Sequence, residues 1–235
     1  LHQTETIVQM ITTNLFIAIF IGMLRFAADW LRLDADRKEL EKQRLTAELN
    51  FLKAQVSPHF FFNTLNNLYY LAIIKSDITG EAIARLSEMM RYMIYESNAP
   101  KVQLDREIEY MRNYISLERL RLKSDVPLHF EVYGNTNILI TPLILITFLE
   151  NAFKHGVNGS DDQSWIKAKL DVRETNLVYA VQNSKANSNA ASPGKPGIGL
   201  RNVKRRLELS YPGKHRLTIE DEPESFNVHL SVDLV

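Results

Sequence analysis

From Leu52 to Leu71 the chain reads LKAQVSPHFFFNTLNNLYYL, and two interleaved periodicities constrain it to a helix. Gln55, His59, Asn63 and Asn66 recur at steps of four, four and three residues, which on a helix makes one polar stripe. Phe61, Leu65, Leu68 and Ala72 keep a helical spacing on another face, which predicts a helix that packs on one side and presents His59 on the other. Pro58 falls inside this stretch. A proline within a helix removes one main-chain hydrogen bond and crowds the residue 54 carbonyl, costing roughly 3 kcal/mol, so a kink beside the histidine is expected. On these residues alone His59 is open to two readings, a solvated surface imidazole or a reactive one.

Upstream, Arg32 to Lys53 is rich in Asp, Glu, Lys, Arg, Leu and Ala and holds no Gly or Pro, as expected of a solvated helix that runs into the His59 segment. Leu33, Leu40, Ala47 and Ala54 recur every seven residues, while Leu45, Leu49, Leu52 and Val56 step by four, three and four. These seams suit a short dimeric coiled coil without settling one heptad register. Before it, Ile7 to Leu24 is mostly apolar, uncharged and about as long as the roughly 20 residues that cross a bilayer, with Arg25, Trp30 and Arg32 as its flank. Gln9, Thr12, Thr13 and Asn14 dilute its first half and leave a buried amphipathic helix as the rival reading. The chain begins at Leu1 rather than Met and is expected to be a fragment or a processed product. Lys+Arg and Asp+Glu balance at 28 each, so global charge does not point to nucleic acid, and no direct nucleic-acid binding is expected. Without cysteine, disulfides and thiol chemistry are excluded.

Past a turn at Asp77 to Gly80, Ile83, Leu86, Met90 and Met93 predict a second helix lying antiparallel on the first, through Glu96. Leu104, Ile108, Met111, Ile115 and Leu122 predict a third, within which Glu118 and Arg121 are spaced for an i, i+3 contact. After Pro127 the pattern alternates, as in Leu128 to Tyr133, and marks the start of strands. Thr141 to Gly156, TPLILITFLENAFKHG, reads as an apolar helix started by Pro142 and ending in the polar cluster Glu150, Asn151, Lys154, His155. Trp165 to Val172 and Leu177 to Asn183 read as strands, and Ser184 to Gly197 as a loop rich in Asn, Ser, Ala, Pro and Gly. A helix closed by Pro212 and Gly213 follows, then strands at His215 to Glu220 and Phe226 to Leu234.

Three strings carry a resemblance. AQVSPHFFFNTLN resembles the phosphoacceptor segment of the LytS-like sensor histidine kinases, matched by Gln55, Pro58, His59, Phe60, Phe62, Asn63, Leu65 and Asn66, with Phe61 in place of the usual leucine. The cluster Glu150, Asn151, Lys154, His155, Gly156 resembles the N box of the GHKL ATPases, and Gly194 to Leu207 resembles their glycine box through Gly197, Ile198, Gly199, Leu200, Asn202, Arg206 and Leu207. The resemblance implies that His59 accepts a phosphoryl group from ATP and that Asn151 holds Mg²⁺ through its side-chain oxygen. It also implies that Lys154 and His155 reach toward phosphates, and that Gly194, Gly197, Gly199 and Leu200 belong to an ATP lid. Asn183 stands where relatives carry an aspartate for the adenine amino group; its amide oxygen can accept that bond but carries no charge. Thr147 replaces the water-activating glutamate of GHKL hydrolases, which favours transfer to a side chain over hydrolysis.

The residue after the histidine is Phe60, so no carboxylate stands within a turn of His59. Asn63 is spaced to orient the imidazole, and Glu150 is the candidate base or, equally, a structural residue of the N box. The fold expected is α+β: an N-terminal membrane and coiled-coil helix, a dimerising helical hairpin that forms a four-helix bundle in the dimer, and a C-terminal GHKL-type α/β sandwich. The expected divisions are residues 1–31, 32–53, 54–97 and 98–235. The resemblance implies a homodimer held at a bacterial inner membrane with its kinase portion in the cytoplasm. It also implies a response regulator partner, in relatives often one with a LytTR-type DNA-binding domain. The alternative is a catalytically inactive, nucleotide-binding scaffold.

Overall fold

No proline precedes Pro58, and Gly22 is the only glycine before it, so nothing in the first 53 residues breaks a helix. A computed structural model describes residues 2–53, 58–122, 126–157, 164–185 and 198–234. In it α1 spans His2–Lys53, and the chain divides into two units, Leu1–Phe51 and Leu52–Val235. The first unit is that helix. Asp34 and Lys38 pair across one turn at 2.7 Å, and Phe20, Leu24, Phe26, Trp30 and Leu31 are exposed along it. Among the described residues no helix is long and apolar enough to cross a membrane; most side chains of Ile7 to Leu24 lie outside that description.

The second unit places three helices over one face of a sheet. Its strands are β2 (Leu128–Gly134), β4 (Ile166–Val172), β5 (Asn176–Ser184), β6 (His215–Asp221) and β7 (Ser225–Asp233), in the order β2-β4-β5-β7-β6. Only β2 and β4 run parallel. Alternation decides the faces. Ile166, Ala168, Leu170 and Val172, Leu177, Tyr179 and Val181, and Val228, Leu230 and Val232 point to the buried side. There they meet α4 (Leu104–Arg119), α5 (Leu145–Gly156) and α6 (Ile198–Ser210), with Phe148 edge-on to Tyr179 at 6.4 Å. Leu104, Ile108, Met111 and Ile115 are buried, as their spacing predicts. A two-stranded ribbon of β1 (Val102–Gln103) and β3 (Leu139–Ile140), too short to read from sequence, ties the entry of α4 to the segment before α5.

The hairpin helices are α2 (Pro58–Ile73) and α3 (Thr79–Arg91), the latter continued by a π-helical turn at Tyr92–Glu96. Between them α2 ends with Lys75 at φ +54, the Ser76 amide bonding back to the Leu71 carbonyl at 2.9 Å and the Lys75 amide to that of Ala72 at 3.1 Å. This is the Schellman arrangement with lysine in the left-handed position. Both buried stripes differ from the expected ones by a rotation. On α2 the buried residues are Phe60, Thr64, Leu68 and Leu71, while Leu65 and Ala72 are exposed; on α3 they are Ala82, Leu86 and Met89, followed by Tyr92, while Ile83 and Met90 are exposed. The cause is where the helices dock: Phe60 packs on Tyr114 of α4 at 4.6 Å, and Tyr92 on Tyr110 of α4 at 5.2 Å. Those aromatic anchors outweigh the aliphatic periodicity. Pro58 is the first described residue of α2; residues 54–57, Gln55 among them, lie outside the described residues, and the expected kink with them.

Pro142 does not start α5. The helix begins at Leu145, and Pro142 and Leu143 form a buried turn in which Leu143 has φ +57. A left-handed backbone at a bulky residue costs roughly 1–2 kcal/mol, so other groups must hold it there.

Candidate functional site

The last two turns of α5 sort their residues by face. Phe148, Leu149, Ala152 and Phe153 enter the core; Asn151 is half-buried, and Lys154 and His155 are exposed beside it. Neither Asn151 nor Lys154 hydrogen-bonds or ion-pairs with another described residue, so an amide and an ammonium are presented together. Partial desolvation of its ring and the Lys154 charge hold His155 below the usual imidazole pKa, which makes it a neutral hydrogen-bonding group near pH 7. Thr147 donates to the Leu143 carbonyl at 3.2 Å, so its hydroxyl is taken by the turn before α5.

Glu150 is on the same helix but sits in a different environment. Burial, reinforced by the charge of Glu118, pushes its carboxyl up to about 7. Glu118 is itself 6% exposed and accepts two bonds of 2.8 Å from Arg121, the contact expected from their spacing. Two acidic groups near each other in a desolvated place resist ionising together, and only Glu118 has the arginine.

Asn183 closes the end of α5. It is 1% exposed, and its Nδ2 donates to the Ser184 carbonyl at 2.7 Å. The Ser184 hydroxyl donates to the Gly156 carbonyl at 3.0 Å and accepts from the Trp165 amide at 2.9 Å, pinning strand and helix ends together. A methyl group on Gly156 would stand 2.6 Å from Asn183 Cβ and 2.7 Å from its Nδ2, so the Asn183 side chain occupies the space that glycine leaves. Gly156→Ala is therefore expected to cost about 1–3 kcal/mol by overpacking, read as a fall of several degrees in melting temperature. In an Asn183→Ala background the added loss should shrink only in part, because Cγ and Nδ2 are gone while the Cβ at 2.6 Å stays.

The glycine-box residues divide. Gly194 and Gly197 lie outside the described residues; Gly199 is exposed at the start of α6, and Leu200 is buried at 7%. His59 lies in the first turn of α2, and its side chain lies outside the described residues; Asn63, one turn on, is half-buried. Their helix is joined to the site by aromatic contacts. Phe60, next to His59, packs on Tyr114, and Tyr114 stands edge-on to Phe153, between Asn151 and Lys154 in sequence, at 5.5 Å.

Sequence reasoning missed Glu107, which is fully buried. It accepts from the Leu143 amide at 2.7 Å and from the Tyr92 hydroxyl, and burial pushes its carboxyl up to about 7. Its signal was a charge on the apolar stripe of Leu104, Ile108 and Met111. Arg206, matched in the glycine box without a role, is 3% exposed and donates to the carbonyls of Leu143 at 3.2 Å and Pro142 at 2.6 Å.

Residues 47–126 match the histidine kinase family model. The chain is 26% identical over 201 residues to the sensor protein LytS of Staphylococcus saprophyticus, covering 79% of this chain and 34% of that protein. It is 36% identical over 110 residues to the sensor histidine kinase/phosphatase LytS of Staphylococcus aureus, covering 46% of this chain and 19% of that one. It thus spans about a third or less of these relatives. A solved histidine kinase domain from Erythrobacter litoralis aligns over 82% of this chain and 96% of its own, at 14% identity and a TM-score of 0.44. The chain is thus similar to the sensor histidine kinases, and among them to proteins of the LytS type.

Proposed function

We propose that this chain is the kinase portion of a membrane-tethered, homodimeric sensor histidine kinase that phosphorylates His59 with ATP and passes the phosphoryl group to an aspartate of a response regulator. By its likeness to the LytS type, that regulator carries a LytTR-type DNA-binding domain. The observation that carries the reading is the polar edge of α5, where Asn151 and Lys154 stand without partners among the described residues beside the rigidly held Asn183. This donor set suits a magnesium nucleotide: one amide oxygen for a hard cation, a cation and a neutral imidazole for phosphate oxygens, and a buried amide for adenine. Asn151 would hold Mg²⁺, Lys154 and His155 the phosphates, and Asn183 the base. Gly199 fits too, since among the described residues no atom beyond its own stretch of helix lies within 4 Å of where its Cβ would stand, and packing against them does not call for glycine there.

An imidazole nitrogen of His59 attacks the γ-phosphorus; the bond to the β-phosphate oxygen breaks with its electron pair leaving on ADP, and the ring proton passes to a base or to water. Bound Mg²⁺ offsets the phosphate charge. Asn63 orients the ring, and Glu150 receives the proton. Phe62, Leu65, Tyr69 and Ile73 on α2, with Ile83, Met90 and Ile94 beyond, form exposed apolar surface that a four-helix bundle of two hairpins would bury. The tether is assigned to residues 1–31, the coiled coil to 32–53, the hairpin to 54–97 and the nucleotide domain to 98–235, with the kinase portion on the cytoplasmic side of a bacterial inner membrane.

Incubation of the purified chain with γ-labelled ATP tests this: an acid-labile, base-stable label is expected, and ATP binding without it identifies an inactive scaffold instead. The pH profile tests the base. A carboxyl that must be ionised to work, with its pKa near 7, should make the single-turnover rate climb as pH rises through 7. Glu150→Gln should flatten that climb and slow transfer more than it weakens ATP binding. A variant that keeps the full rate and profile assigns the proton to solvent.

A further inference from the structure

The strained turn before α5 is gripped from both sides. Leu143 carries its left-handed φ of +57 with its side chain buried, and both of its main-chain polar groups are taken: the N–H by Glu107 of α4, the C=O by Arg206 of α6. Arg206 reaches one peptide further to the Pro142 carbonyl, and the Tyr211 hydroxyl, just past α6, accepts from the Thr141 amide at 2.8 Å. Two opposite charges buried side by side for their own attraction would bond each other. Here Glu107 Oε2 and Arg206 Nε have no hydrogen-bond partner among the described residues, while Glu107 Oε1 takes the Leu143 N–H and the Tyr92 hydroxyl and the two Nη atoms of Arg206 take main-chain carbonyls. A buried pair kept in so incomplete a form is poor stabilisation, since apolar residues of the same shape do as well or better.

What the grip joins is specific. The turn runs directly into α5, whose far end carries Asn151, Lys154 and His155, and Arg206 and Tyr211 belong to α6 and its exit, the helix with Gly199 and Leu200 in its first turn. Tyr92 adds the hairpin, since its hydroxyl donates to the same Glu107 oxygen that accepts from Leu143.

We infer that Glu107 and Arg206 are positioning residues for the nucleotide: by holding the Pro142–Leu143 turn in its left-handed form they fix α6, with Gly199 and Leu200 in its first turn, relative to α5 and its polar end. This rests on the nucleotide reading of that edge. Neither residue touches the nucleotide; both act through the turn.

Arginine can span two neighbouring carbonyls with its planar fork, whereas lysine offers the same charge on a single point. Arg206→Lys in the full chain should therefore keep the melting temperature within a few degrees yet lower MgATP affinity tenfold or more by calorimetry, with a smaller change in the phosphorylation rate at saturating ATP. A folded Arg206→Lys chain that binds MgATP within twofold of the parent overturns the inference, because charge alone then suffices. If that variant does not fold, Glu107→Leu combined with Arg206→Met removes both buried charges while filling their space. Tenfold weaker binding by that chain supports the clamp, and binding within twofold of the parent overturns it. A parent chain that binds no MgATP fails the nucleotide reading itself and takes the inference with it, an outcome separate from equal binding by parent and variant.

Discussion

His59→Gln is expected to reduce incorporation of label from γ-labelled ATP to background while MgATP affinity stays within about twofold of the parent. Glutamine matches much of the reach and hydrogen-bonding capacity of histidine but has no nitrogen able to attack phosphorus, so the change removes the nucleophile alone. The position makes the experiment clean. His59 lies in the first turn of α2, and the residue that anchors this turn to the core is its neighbour Phe60, 4% exposed against Tyr114. Folding should therefore be little affected, and an unchanged melting curve is the control. Label that persists on the variant would move the phosphoacceptor to another residue; the acid lability of that label would say whether it is another histidine.

Asn151→Ala is expected to weaken MgATP binding on the order of 100-fold, about 2.8 kcal/mol. Asn151 is half-buried and makes no hydrogen bond to another described residue, so its removal has no counterpart in the folded protein itself. Substitutions at such positions usually change stability by less than about 0.5 kcal/mol. The large effect on binding and the small one on melting together are what distinguish a ligand-facing amide from a structural one. Calorimetry with and without Mg²⁺ gives the further mark: the deficit should be confined to the magnesium-dependent part of the affinity, while nucleotide alone binds parent and variant alike. Equal MgATP affinity would remove Asn151 from the metal site.

The two substitutions probe ends of the molecule that the fold links through side chains of α4. Phe60 beside His59, Tyr114 on α4 and Phe153 on α5 touch in succession, with ring centroids 4.6 and 5.5 Å apart. Aromatic pairs of this kind add about 0.5–1.5 kcal/mol beyond their buried area. Glu107, two turns earlier on α4, makes the parallel link from Tyr92 of the hairpin to the turn before α5.

Local patterns determined the element order. The alternation of Ile166 to Val172 and of Leu177 to Asn183 and the helical spacing of Leu104 to Ile115 specify strand or helix within a few residues, because each reflects a period set by the backbone itself. The Glu118–Arg121 contact was legible for the same reason, as was the polar end of α5. The buried face was legible on α4 but not on the hairpin helices. On α2 and α3 several apolar residues lie on adjacent faces, and docking of Phe60 and Tyr92 on α4 chose Leu71 over Ala72 and Met89 over Met90. Nor could sequence show that Pro142 opens a left-handed turn instead of a helix. That conformation is unfavourable locally and persists because Glu107, 36 residues before Leu143, and Arg206, 63 residues after it, converge on that one residue. Periodicity decides what a segment forms with itself; contacts between residues far apart in the chain decide which side it buries and what strain it can hold.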